Sequence, residues 1–100
     1  MMTYSEFEIR LLVALVDAAG ATEGGRCGAS EVAETVLPQV KAEWVSDAVR
    51  GYEQQKYVGP VIRPLEGGII LMISGEGRKA ADSLRAHIAA AQQPRSKIGF

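Results

Sequence analysis

Between Val58 and Leu84 the chain reads VGPVIRPLEGGIILMISGEGRKAADSL, a stretch that admits few folds. Two short apolar runs, Val61-Ile62 and Ile69 to Ile73, flank a Pro-Leu-Glu-Gly-Gly tip. Each run has the length of a strand, and the tip glycines supply the permissive backbone a reversal needs. Pro60 restricts the first strand to a sheet edge, because its nitrogen has no hydrogen to donate. An Ile-Ser-x-x-Gly step (Ile73, Ser74, Gly77) then leads straight into a helical pattern, with Ser74 placed to cap it. A hairpin set between helices makes the chain α+β.

Upstream of the hairpin the apolar period becomes that of helices. Ser5-Glu6-Phe7-Glu8 reads as a capping box, with Ser5 as N-cap and Glu8 its partner, and Gly20 is placed to end the helix near Ala19. Ile9, Leu12, Val13 and Val16 form the expected core stripe. Phe7, Leu11 and Ala18 fall on nearly the opposite side, with Leu15 between. A helix apolar nearly all round is buried nearly all round. Gly20 to Gly28 holds four glycines and reads as a loop, ending in a short strand at Arg26-Cys27 that joins the hairpin sheet. A second helix follows, with Ser30 as N-cap and Val32, Ala33, Val36 and Leu37 inward. Pro38 ends it, so Pro38 to Lys41 is a turn.

The third helix is predicted from about Ala42 to Lys56. Trp44, Val45, Ala48, Val49 and Tyr52 gather on one arc, which makes the aromatics core residues rather than stacking platforms. Glu43, Ser46, Asp47, Arg50 and Gln54 lie opposite, and Asp47 can pair with Arg50 at i, i+3. Gly51 costs a helix roughly 1 kcal/mol relative to alanine, which points to a close approach by some other group. The last helix runs over about Gly75 to Ala91, with Ala80, Leu84 and Ile88 on one face, Ala81 at its edge and His87 at the margin. One domain over 1–91 and a flexible basic tail over 92–100 complete the plan.

Composition narrows the function classes. One hundred residues make one domain with a modest core. No apolar run approaches the roughly 18 residues that a membrane span needs, and Glu6, Glu8 and Arg10 break any leader-like segment. A lone cysteine adds to the expectation of a cytoplasmic protein. Cys27 has two readings, a redox sensor with Arg26 lowering its pKa or a small apolar strand residue, and the second is the ordinary one. One histidine and one cysteine supply no metal set and no nucleophile–base pair, so neither an enzyme nor a cofactor is expected. Gly24-Gly25 and Gly67-Gly68 lack the flanking pattern of a phosphate-cradling loop. A net charge of −1 is unusual for an autonomous nucleic-acid binder.

Taken in order, the elements resemble a winged helix-turn-helix domain in the style of the MarR and PadR transcriptional regulators. Ser30-Glu31-Val32-Ala33-Glu34-Thr35-Val36 resembles the second helix of that pattern. Val45 to Val58, ending in Glu53-Gln54-Gln55-Lys56-Tyr57-Val58, resembles the recognition helix running into the first wing strand. Leu71-Met72-Ile73-Ser74-Gly75-Glu76-Gly77 resembles the exit of the wing into the last helix. The resemblance spans about residues 5–91. In such families a glycine often ends the recognition helix, and Lys56 stands at that place here.

The resemblance implies three helices, a β-hairpin wing over 58–73 and a C-terminal helix. It also implies a small DNA-binding transcriptional regulator with double-stranded DNA as partner. Ser46, Arg50 and Gln54 on the outward side of the third helix would meet base edges or phosphates in the major groove. Lys41 would meet a phosphate from the turn, and Arg63 beside the tip would reach a minor groove or flanking phosphate. The second apolar side of the first helix needs burial: Phe7, Leu11 and Ala18 would meet Leu84 and Ile88 either within the monomer or in a second copy. A homodimer interface formed by these residues is the favoured expectation. The alternative is a winged-helix protein-interaction module, an adaptor or inhibitor without DNA binding, whose acidic Glu43 and Asp47 meet a basic partner.

Overall fold

A computed structural model describes residues 2–21, 25–65 and 67–92. The order is α1 (Tyr4–Ala21), β1 (Arg26–Gly28), α2 (Ala29–Val36), α3 (Ala42–Gln54), β2 (Val58–Ile62), β3 (Ile70–Ile73) and α4 (Gly75–Gln92). The chain is α+β: the described residues form four helices and one antiparallel three-stranded sheet of order β1-β3-β2. Within 20–28, residues 22–24 lie outside the described residues, as does the expected tail from 93 onward.

Local chemistry accounts for most of the boundaries. The cap of α1 is Thr3 rather than Ser5: Thr3 Oγ1 accepts from the Glu6 N–H at 3.2 Å and donates to Glu6 Oε1 at 3.3 Å. Thr3-x-x-Glu6 and Ser5-x-x-Glu8 both fit a capping box, and the chain uses the earlier one. At its other end α1 runs through Gly20 to Ala21. Ser30 also fails as a cap. The α2 N-cap is Gly28, and the Ala29 N–H donates to the Ile69 carbonyl at 2.7 Å, so hairpin backbone takes the place of a capping side chain.

Pro38 stops α2 as expected, and the Val40 N–H donates to the Leu37 carbonyl at 3.1 Å within the turn. The end of α3 is a Schellman motif: the Tyr57 N–H reaches the Tyr52 carbonyl at 2.9 Å and the Lys56 N–H reaches that of Glu53 at 3.0 Å. Lys56 takes the left-handed position, φ 64°, that glycine usually fills. α3 therefore closes at Gln54, two residues before the expected end.

Within the sheet β2 is an edge strand, as Pro60 requires, and a bulge between Val58 and Val61 absorbs the missing donor. β1 adds the opposite edge, with Cys27 beside Leu71. Ser74 then links strand to helix. Its Oγ accepts from the Gly77 N–H at 3.1 Å and donates to the Lys56 carbonyl, while its own N–H donates to the Tyr57 carbonyl at 3.0 Å. A Cβ on Gly77 would fall on that Tyr57 carbonyl oxygen, so this position requires glycine.

The core lies between α1, the sheet and the inner faces of α2 and α3. Phe7, Leu11, Leu12 and Leu15 have at most 1% of their surface exposed and meet Val45, Val49 and Leu71 in one cluster. Each such side chain contributes about 1.5–3 kcal/mol by leaving water. Of the expected core stripe Leu12 is buried, while Ile9, Val13 and Val16 are half-buried instead. In α4 it is Ala81, read as an edge position, that is fully buried, while Ala80, Leu84 and Ile88 are half-buried.

Candidate nucleic-acid interface

The outward side of α3 follows from its inward side. Val45, Ala48, Val49 and Tyr52 are buried, so the helical period turns Asp47, Arg50 and Gln54 to solvent. Trp44 is half-buried and packs edge-on against Tyr4 with centroids 5.5 Å apart, and against Phe7 at 5.6 Å. Lys41 precedes the helix. Its carbonyl accepts from the Trp44 N–H at 3.0 Å while its side chain is exposed. Ser46 is half-buried beside the exposed groups.

Arg63 leaves the end of β2 and returns to this same side of α3. One guanidinium nitrogen donates to Glu53 Oε1 at 2.5 Å and the other reaches Oε2 at 3.5 Å. The hydrogen bond to Glu53 is the main reason that its pKa is raised above the ordinary arginine value, with burial opposing. This pair brings the hairpin and the α3 surface together, and the sequence reading missed Glu53 as the partner. Arg50 keeps the expected company: Asp47 Oδ1 lies 3.9 Å away. The positive groups Lys41, Arg50 and Arg63 are thus interleaved with Glu43, Asp47 and Glu53 rather than forming a continuous basic strip.

The expected interface set separates. Phe7 and Leu11 have 0% exposure within a single chain, so they have no surface to offer a second copy. Their volume is taken by Trp44, the sheet and the other core residues, so these two positions are covered within the chain. Ala18, Leu84 and Ile88 stay half-buried. Among the described residues the large exposed apolar side chains are elsewhere, on the hairpin: Ile62 and Ile70, which are cross-strand partners, and Leu65 at the tip. Strand alternation places Ile70 outward while Leu71 and Ile73 bracket the inner face, a division that the unbroken run Ile69 to Ile73 conceals.

Cys27 is buried beneath α1, and its thiol donates weakly to the Leu15 carbonyl at 3.7 Å. Desolvation raises its pKa, opposite to what a redox sensor needs, and neighbouring Arg26 does not reverse this. Among the described residues no group of His, Cys, Asp and Glu could hold a metal ion, and no helix is long and apolar enough to cross a membrane. The chain matches no family model, no curated protein and no solved structure.

Proposed function

We propose that the chain is a winged helix-turn-helix module that binds duplex DNA, with α3 in the major groove and the β2–β3 hairpin as a wing on the adjacent backbone. The observation that carries this reading is the Arg63–Glu53 pair, which ties the hairpin to the exposed side of α3. Arg50, Gln54 and Arg63 then belong to one surface, with Lys41 at the other end of the helix. The order β1-β3-β2, with α2, a tight turn and α3 ahead of the hairpin, supports it as well.

On that surface Arg63 exchanges Glu53 for a phosphate. An exposed ion pair is worth only about 0.2–1 kcal/mol, so the exchange costs little. Arg50 and Gln54 supply donors to base edges. Fluorescence anisotropy against a random duplex pool at ~50 and ~200 mM salt tests the reading. Arg63→Ala should lower the salt slope by about one and weaken binding evenly across sequences. Absence of duplex affinity at the lower salt would sink it.

A second reading has its own support. Both arginines on this face already have carboxylate partners, Glu43 adds acid, and Leu65 stands exposed. That mixture suits a protein partner with basic groups around an apolar contact. Stoichiometric capture of one protein, lost in Glu43→Lys/Asp47→Lys, favours this reading, and capture that survives the double substitution removes it.

A further inference from the structure

We propose that a cleft between α1, the last turn of α3 and α4 binds a small organic cation, a primary ammonium on an apolar body. The cleft has a volume of about 510 Å³, within the ~300–1,000 Å³ of small-molecule sites. Ile9 and Leu84 give it apolar walls, Tyr57 an aromatic one, and Gln54 and Gln55 amides. Among the described residues the single charged side chain in its lining is Glu8.

Glu8 is half-buried, and its carboxylate lies against the backbone of α3. Its Oε2 stands 3.2 Å from the place where a Cβ on Gly51 would be. This is the close approach that a glycine inside α3 foretells, because a Cβ there would make the carboxylate give by a few tenths of an ångström. The remaining company of Glu8 is neutral. The Tyr4 hydroxyl is 3.5 Å from Oε2, and the Tyr52 hydroxyl donates to the Glu8 backbone carbonyl rather than to the carboxylate.

Asp17, Asp47 and Glu53 each have an arginine within 4.0 Å, whereas among the described residues no cation lies that close to Glu8. A carboxylate drawn partly out of water without a counter-ion favours a positive ligand, and the apolar walls favour one with a hydrocarbon body. An ammonium that enters the cleft gains an ion pair there without having to displace an arginine.

The test uses the full chain without DNA, so its outcome is separate from that of duplex binding. Phenethylamine, 3-phenylpropan-1-ol and 3-phenylpropionate form a cationic, neutral and anionic set of similar size. ¹⁵N chemical-shift titration should give saturable changes at Gly51, Gln55 and Tyr57 with phenethylamine, about tenfold weaker binding with the alcohol, and none with the carboxylate. Glu8→Gln keeps the backbone carbonyl that Tyr52 uses and should weaken phenethylamine at least about tenfold with the fold intact. Gly51→Ala should weaken it too, by displacing the carboxylate. Equal response to the three probes, no response to any, or undiminished binding in Glu8→Gln would overturn the assignment.

Discussion

Helices α1 and α4 have the same length, eighteen residues each, and hold opposite positions in the molecule. α1 supplies Phe7, Leu11, Leu12, Leu15 and Ala19 to the core, while among its described residues α4 buries only the methyl of Ala81 and the backbone at Gly77. One helix is the centre around which the sheet, α2 and α3 are assembled. The other is a cover, attached by its first turn through Ser74 and Gly77 and further along by Arg85 to Asp17 at 2.6 Å. Equal length and equal helicity therefore say little about load. What divides the two helices is side-chain volume delivered to the interior, and backbone contact where such volume is lacking.

The sharpest way to break this contrast is to remove volume from each helix. Leu11→Ala, at 0% exposure, should cost about 2–5 kcal/mol in urea unfolding, whereas Leu84→Ala on half-buried α4 should cost under about 2 kcal/mol. Equal losses would make α4 a core helix after all. Next in size is Gly77→Ala. Alanine is the better helix former by about 1 kcal/mol, yet its methyl would meet the Tyr57 carbonyl and lie 3.0 Å from Ile73 Cγ2. A net loss of about 1–3 kcal/mol is expected from the same unfolding experiment, and a gain in stability would show that α4 does not depend on this approach.

How much of this was legible depends on whether the deciding interaction is local. Pro38, Ser74 and the tip glycines act on their own neighbours, so the α2–α3 turn, the cap of α4 and the hairpin can be read directly. The strand at Arg26-Cys27 is also recoverable, from its place between glycines. The core side of α1 is not, because both of its faces are apolar and the choice belongs to the elements packed around it. The cap of α1 is ambiguous for a different reason: two overlapping Ser/Thr-x-x-Glu patterns satisfy the same rule two residues apart. On the candidate interface the exposure of Arg50 and Gln54 follows from helical period alone, and that of Lys41 from its place in the turn before α3. The Arg63–Glu53 pair does not, since it requires the Schellman turn and the bulged β2 to bring residues on separate elements together.

The junction on which α4 hangs yields a prediction of opposite sign. Lys56 holds φ 64°, a conformation that costs a residue with a Cβ roughly 1–2 kcal/mol and glycine almost nothing. Part of that is returned by the greater freedom of glycine in the unfolded chain. Lys56→Gly should therefore raise stability by about 0.5–1 kcal/mol, read as an increased urea midpoint at constant slope. A decrease would mean that the lysine side chain contributes more to the junction than its backbone strain takes away.

The smallest expected effect belongs to the other attachment of α4. Arg85 and Asp17 are close, yet their side chains keep 49% and 62% of their surface in solvent. Water and salt screen such a pair, and two flexible side chains lose rotamer freedom to form it. Arg85→Ala should cost under about 1 kcal/mol, and the loss should fade when the measurement is repeated at high salt. Comparison with Gly77→Ala then locates the hold on α4. If the first turn anchors the helix, Gly77→Ala loosens it and Arg85→Ala barely does, so amide exchange along 78–88 should accelerate only in the former. Matching acceleration in both variants would place the anchor at the ion pair instead, and α4 would be held from its middle rather than from its start.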